Sequence, residues 1–178
     1  MKFPHGHAPA ATSPCFFPQG EYNRVKQGCR VTPMRGGFPY ESKDKFDMLC
    51  DFYELTMANG YFQTGLQDRI CYFDVFYRSV PDKGGFAIAA GLAQVVEYIQ
   101  ELCFDQEDID YLRTKDCFSE EFLAFLRDFK FTGDIWAVPE GTPVFPNEPI
   151  LTVRAPAIQA QFVETFILLT LNHQSLIA

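Results

Sequence analysis

The chain has 178 residues and a mass of 20.3 kDa, enough for one domain of ordinary size with an appendage. Its 47% hydrophobic and 16% aromatic content can fill a core, which excludes a wholly disordered protein. A formal net charge of −8 excludes bulk affinity for nucleic acid or anionic membranes, and the longest apolar runs, around Phe86–Val96 and Phe162–Leu171, fall short of the ~20 residues that cross a bilayer.

Residues 1–46 carry seven Lys/Arg against three Asp/Glu, while residues 47–178 carry eight against twenty. The first stretch is also rich in glycine and proline. Ala8-Pro9, Ser13-Pro14, Phe17-Pro18 and Phe38-Pro39 interrupt any regular pattern, so 1–46 is expected to be a poorly ordered extension. His5-Gly6-His7 offers two imidazoles, but a histidine pair in such a tail is more simply incidental than a metal site. No uninterrupted apolar segment follows Lys2, so the start does not read as a secretory signal. The six cysteines, at 15, 29, 50, 71, 103 and 117, have neither zinc-site nor redox-pair spacing. Reduced thiols in a cytoplasmic protein are the expectation.

From Asp47 the patterning becomes regular. Met48 to about Phe62 predicts a helix with Leu49, Phe52, Tyr53, Thr56 and Gly60 near one face, and with Asp47 or Cys50-Asp51 near its start. Ile70–Arg78 alternates as a strand, with Cys71, Phe73, Val75 and Tyr77 on one side. Pro81–Gly85 predicts a turn and Phe86–Ala90 a short apolar strand. Leu92–Leu102 follows as an amphipathic helix on Val95, Val96, Ile99 and Leu102. Asp105, with Asp108 three residues on, caps a second helix. Ser119 caps a third, whose apolar set is Phe122, Leu123, Phe125, Leu126 and Phe129. Three short strands are predicted at 133–138, 143–145 and 150–153. Ala155-Pro156 is expected to open a last helix, apolar on nearly every face over Phe162–Leu171. That helix runs to Ala178 with no stop signal and expects cover on all sides, so the sequence reads as the front part of a longer protein.

Chemistry is sparse on pattern alone. Gly84-Gly85 lacks phosphate-loop spacing, and Asp105, Glu107, Asp108 and Asp110 lack the turn glycine and terminal glutamate of a calcium loop. The acidic group reads as a helix start. His173, alone in an apolar helix, reads as a hydrogen-bonded core residue. Tyr53 beside Asp51 and Glu54 could stack on a planar ligand, although the pattern by itself makes it a core residue. No nucleophile and base can be paired.

Several collinear segments carry a family resemblance. Leu49-Cys50-Asp51-Phe52-Tyr53-Glu54-Leu55-Thr56-Met57 closely resembles the opening helix of nicotinate phosphoribosyltransferases. Phe73–Arg78 and Gly84–Leu92 look like the first strand of that family and the strand and turn after it. Phe129–Asp134 with Pro139–Pro149 looks like its small β-rich segment. Gln161-x-x-Glu164-Thr165 and Leu171–Ala178 look like the helix leading into its barrel.

The resemblance implies an α/β fold. Residues 47–178 would be the α+β amino-terminal domain of a type II phosphoribosyltransferase, ending in the helix that leads into an irregular α/β barrel largely absent here. It implies a cytoplasmic homodimer with shared active sites, acting in NAD biosynthesis. The reaction it implies joins nicotinate to 5-phosphoribosyl-1-pyrophosphate, with ATP hydrolysis coupled and Mg2+ on the departing pyrophosphate. Tyr53 matches the family tyrosine that packs on the nicotinate ring across the dimer interface, and is the one site residue carried over. No catalytic residue, metal ligand or ATP contact transfers to this stretch, and His173 does not match the family's phosphorylated histidine. The chain alone is therefore expected to be inactive. The alternatives are a non-catalytic dimerisation or interaction module and a sister phosphoribosyltransferase acting on nicotinamide or quinolinate. A carrier domain is disfavoured because its hairpin tip would need lysine where Asn147-Glu148 stands.

Overall fold

Leu151, Val153 and Ala155 alternate with Thr152, Arg154 and Pro156, and this period of two buries one face of the strand that organises the domain. The computed structural model of the chain describes residues 23–25, 46, 48–80 and 84–178. The rest of the extension expected over 1–46, and the first three residues of the turn expected at Pro81–Gly85, lie outside them. In chain order the elements are β1 (Asn23–Val25), α1 (Phe52–Gln63), β2 (Ile70–Val75), β3 (Ala87–Ile88), α2 (Leu92–Glu101), α3 (Gln106–Arg113) and α4 (Glu120–Arg127). They continue with β4 (Asp134–Ala137), β5 (Pro143–Val144), β6 (Leu151–Pro156), α5 (Ala157–Phe162) and α6 (Glu164–Ile177). One sheet has the order β1-β4-β6-β2 and is antiparallel throughout. A second, small sheet pairs β3 with β5.

The register places matching chemistry in direct cross-strand pairs on the outer face of the larger sheet. Tyr72 and Asp134 both face Arg154, whose guanidinium donates to the Tyr72 hydroxyl (3.1 Å) and the Asp134 carboxylate (3.4 Å). Asp74 faces Thr152 and accepts its hydroxyl at 2.6 Å. The inner face, through Ile135, Ala137, Leu151, Val153 and Ala155, carries the core. Helix α5 lies on β2 and β6, α1 packs on α5, and α6 runs over α2 and β3.

Local sequence explains the starts of two helices, α3 and α4. Asp105 accepts the N–H groups of Glu107 and Asp108 while Asp108 accepts that of Asp105, a reciprocal cap on α3. Ser119 caps α4 through the N–H of Phe122. Helix α2 has no local cap: its start is Gly91 at φ 98°, and the Glu140 carboxylate accepts the N–H groups of Gly91 (2.8 Å) and Ala93 (3.4 Å). Phe104, Phe129 and Phe162 meet edge to face at 5.4–5.7 Å and join these helices to α5.

Three expectations are corrected. Helix α1 begins at Phe52 rather than Met48, and the face expected from the apolar spacing is its exposed one: Leu49, Phe52, Tyr53, Thr56 and Gly60 are exposed, while Glu54, Leu55, Ala58 and Asn59 are buried. Helix α1 packs on α5 and buries Leu55 and Ala58 on its inner face. Ala155-Pro156 ends β6 instead of opening a helix, pairing with Cys71 and Ile70. Pro156 has an extended ψ of 144° and stands as the N-cap, so the helix proper starts at Ala157. The continuous helix expected from Ile158 is divided at Val163, because its two halves pack on different neighbours.

A Cβ on Gly133 would sit 2.6 Å from the Ala155 Cβ and 2.7 Å from the Arg154 carbonyl oxygen, where strand meets strand. We expect Gly133→Ala to cost about 1–3 kcal/mol of stability in urea unfolding. Gly85→Ala, which meets nothing within 4 Å, is expected to change it by less than about 0.5 kcal/mol.

Candidate functional site at the junction of α1 and α6

Helices α1 and α6 are joined by two hydrogen bonds between adjacent residues on each. Glu54 and Tyr53 are neighbours on α1, and Thr165 and Glu164 are neighbours on α6. The Thr165 hydroxyl donates to Glu54 Oε1 at 2.7 Å, and the Tyr53 hydroxyl reaches Glu164 Oε1 over a longer 3.4 Å. The other oxygen of Glu164 accepts the Gln161 side-chain amide at 2.9 Å, which steadies the carboxylate from α5.

The two α1 residues differ sharply in surroundings. Glu54 has no solvent exposure, and its Oε2 atom is buried with no hydrogen-bond partner. Tyr53 is 46% exposed, with exposed Leu49, Phe52 and Met57 close to it in the chain. Tyr53 is therefore not the core residue that its spacing suggested.

Burial pushes the Glu54 carboxyl up to about 7, and the nearby Glu164 and Asp51 carboxylates push the same way; the hydrogen bonds from Thr165 and with the Asp51 backbone pull it down. The Tyr53 phenol is also raised, by desolvation first and then by the negative charges of Glu164, Glu54 and Asp51. Burial, followed by Glu54, Asp51 and Asp108, lifts the Cys50 thiol to about 12, so this cysteine stays protonated and unreactive at neutral pH.

Beside this junction a cavity of about 280 Å³ opens between β2 and α6, lined by Phe73, Val153, Val163, Glu164 and Leu168 among others. A larger one, about 520 Å³, lies between α2 and α6 over the stacked Tyr98 and Phe166 rings. His173 lines its rim and is exposed, which corrects the expectation of a core histidine. Gly84-Gly85 is exposed ahead of β3, and the acidic group at 105–110 forms the start of α3. Among the described residues no group of three or more His, Cys, Asp or Glu is placed to hold a metal, and no helix is long and apolar enough to cross a membrane.

The sequence points to Tyr53 and carries Glu54, Glu164 and Thr165 in two motifs that nothing in the sequence joins. The available signal was a glutamate on the helix face that also carries Leu55 and Ala58, a placement that requires a partner from elsewhere in the fold.

Comparison with known proteins gives a consistent picture. Residues 48–172 match the family model described as nicotinate phosphoribosyltransferase (NAPRTase) N-terminal domain. The chain is 45% identical over 131 residues to nicotinate phosphoribosyltransferase pncB2 of Mycobacterium tuberculosis, covering 74% of this chain and 28% of the relative. It is 37% identical over 135 residues to nicotinate phosphoribosyltransferase of Bacillus subtilis, covering 76% and 28%. The crystal structure of human nicotinic acid phosphoribosyltransferase superposes with a TM-score of 0.67 at 32% identity, over 71% of this chain and 26% of that one. The mixed helices and small antiparallel sheets described above are thus those of the amino-terminal domain of these proteins. The chain spans little more than a quarter of their length.

The raised Glu54 carboxyl fixes the sign of a pH dependence. With a folded value near 7 against an ordinary 4.5, the native state holds its proton longer than the unfolded chain. The contribution of Glu54 to stability is therefore fully present below about pH 4.5 and is lost as pH rises through 7. We expect Glu54→Gln to remove this loss, so that urea unfolding shows the variant gaining on the parent between pH 4.5 and 7.5 by on the order of 3 kcal/mol at most. Parallel pH profiles for the two proteins would contradict the assignment.

Proposed function

Because this chain belongs to the nicotinate phosphoribosyltransferase family, we propose that it is the amino-terminal portion of an enzyme that joins nicotinate to 5-phosphoribosyl-1-pyrophosphate, releasing nicotinate mononucleotide and pyrophosphate. In this reading it acts in NAD biosynthesis as a cytoplasmic homodimer, and Tyr53 of one subunit forms an aromatic wall of the nicotinate pocket of the other. The observation that carries the role of Tyr53 is its outward-facing ring at the start of α1, tethered through its hydroxyl to α6.

The chemistry suits that wall. As the pyridine nitrogen attacks the anomeric carbon, the C–N bond forms and pyrophosphate leaves with the electron pair of the broken C–O bond. The ring becomes a pyridinium cation. The face of a tyrosine attracts such a cation, by about 0.5–2 kcal/mol where water is excluded. The Glu164 carboxylate at the phenol and Asp51 at the helix start add negative charge on the same side. Those carboxylates would repel the carboxylate of nicotinate, so the bound ring must direct that group away from α1, toward a cation supplied elsewhere in the enzyme.

ATP and Mg2+ enter this reading from the family alone. The described residues offer no group of three or more His, Cys, Asp or Glu placed to hold a metal. The 178-residue chain alone is proposed to be inactive. Exposed Leu168 and Leu169 on α6 also favour a second reading, a non-catalytic pairing module. A stable 178-residue species that binds a protein partner, together with absence of a downstream barrel, would support that module instead.

The test is formation of nicotinate mononucleotide by the chain, alone and joined to its downstream reading frame. In the active form we expect Tyr53→Ala to raise KM for nicotinate by about two- to tenfold and that for ATP far less. Unchanged kinetics would remove the assigned role.

A further inference from the structure

We propose that Glu54 and Thr165 act as a positioning pair that sets where the Tyr53 ring stands. Resting on the reading of Tyr53 above, this goes beyond it by assigning a role to a buried carboxylate that touches no ligand. Tyr53 itself is held only loosely. Its hydroxyl contact with Glu164 is 3.4 Å long and its ring is half in solvent, so that bond alone leaves the ring free to swing.

The firm tie lies one residue on, where half-buried Thr165 donates to fully buried Glu54 at 2.7 Å. Because Glu54 follows Tyr53 on α1 and Thr165 follows Glu164 on α6, that bond holds the first turn of α1 to the first turn of α6. It therefore brings Tyr53 within reach of Glu164. Burying a carboxyl with one oxygen unpartnered is costly, and Leu55 and Ala58 on the same face could seat α1 without it. What hydrophobic seating does not supply is a directional contact at the turn that carries Tyr53.

Among the described residues, the charged and titratable groups around Glu54 are Cys50 and Asp51 ahead of the helix, Tyr53 beside it, and Glu164 on α6. None is cationic. The hydroxyl of Thr165 is thus the group that orients Glu54 in either protonation state.

The test separates position from folding and from function. In the active enzyme, Thr165→Val keeps the shape of the side chain and removes the donor. It is expected to raise KM for nicotinate by about two- to tenfold and to leave KM for 5-phosphoribosyl-1-pyrophosphate near that of the parent, while the melting temperature falls modestly because a buried Glu54 oxygen loses its donor. Thr165→Ser, which restores the hydroxyl, and Glu54→Gln, which keeps an acceptor oxygen, are expected to stay near the parent. In the 178-residue chain with ring-labelled tyrosines, and with Tyr53→Phe identifying its signal, Thr165→Val should shift the Tyr53 resonance and leave Tyr77 and Tyr98 in place. An unchanged nicotinate KM with an unmoved Tyr53 signal would overturn the proposal, as would a uniform change in all kinetic constants and all tyrosine signals. If the parent makes no nicotinate mononucleotide while the Tyr53 signal still responds to Thr165→Val, the enzyme reading fails and the positioning pair stands.

Discussion

Helix α5 follows β6 with no loop between them, and this continuity constrains the rest of the domain. Pro156 lets the chain pass from extended to helical backbone within one residue, because its fixed φ suits both and its missing N–H is not needed at a helix start. The helix that results is buried almost completely: Ile158, Ala160 and Phe162 show essentially no surface, and Val163 beyond them is equally enclosed. Each large side chain sealed this way contributes roughly 2–3 kcal/mol. With its axis fixed by the central strand, α5 provides the seat for α1, and the turn at Val163 sends α6 over α2 and β3.

On that seat the domain makes a choice that stability alone does not explain. Helix α1 turns its small and medium residues inward and leaves Leu49, Phe52, Tyr53 and Met57 outside, while it encloses a carboxylate. An apolar residue at Glu54 would serve the core better, since a buried ionisable group gains little without full compensation. Residues that lower stability while holding a neighbour in place are typical of functional surfaces. Consecutive residues on a helix stand about 100° apart, so at the edge of the buried face Glu54 is enclosed while Tyr53 before it is exposed.

The parts of the fold that were legible in the sequence are those decided locally. Asp105 with Asp108 and Ser119 with Phe122 interact within four residues, so their caps could be read directly. The alternation of Ile70–Val75 also gave the strand and its inner face. The face of α1 was misread because helical periodicity identifies an apolar stripe without saying what covers it, whether core, ligand or another surface. The boundary at Pro156 is less legible, because proline suits both the last residue of a strand and the residue before a first helical turn, and here it is both. The tie between Glu54 and Thr165 was invisible for a simpler reason: 111 residues separate them, and neither residue type announces its partner. Tyr53 was found through family resemblance, and the pattern of the residues alone would have placed it in the core.

The start of α2 carries a consequence for how the domain assembles. Its first N–H groups are satisfied by Glu140, 49 residues downstream, and the N–H of Ala90 just before it by Ser175, 85 residues downstream. Gly91, in its left-handed conformation, also lies against Thr170 and Gln174 of α6. A nascent α2 therefore lacks its cap until Glu140, between β4 and β5, has been made and docked, and the turn before it lacks the Ser175 contact until α6 follows, whereas α3 and α4 can close theirs as soon as they emerge. High sequence separation of this kind slows the search for the native state, so during synthesis the middle of the chain gains order before the segment that precedes it.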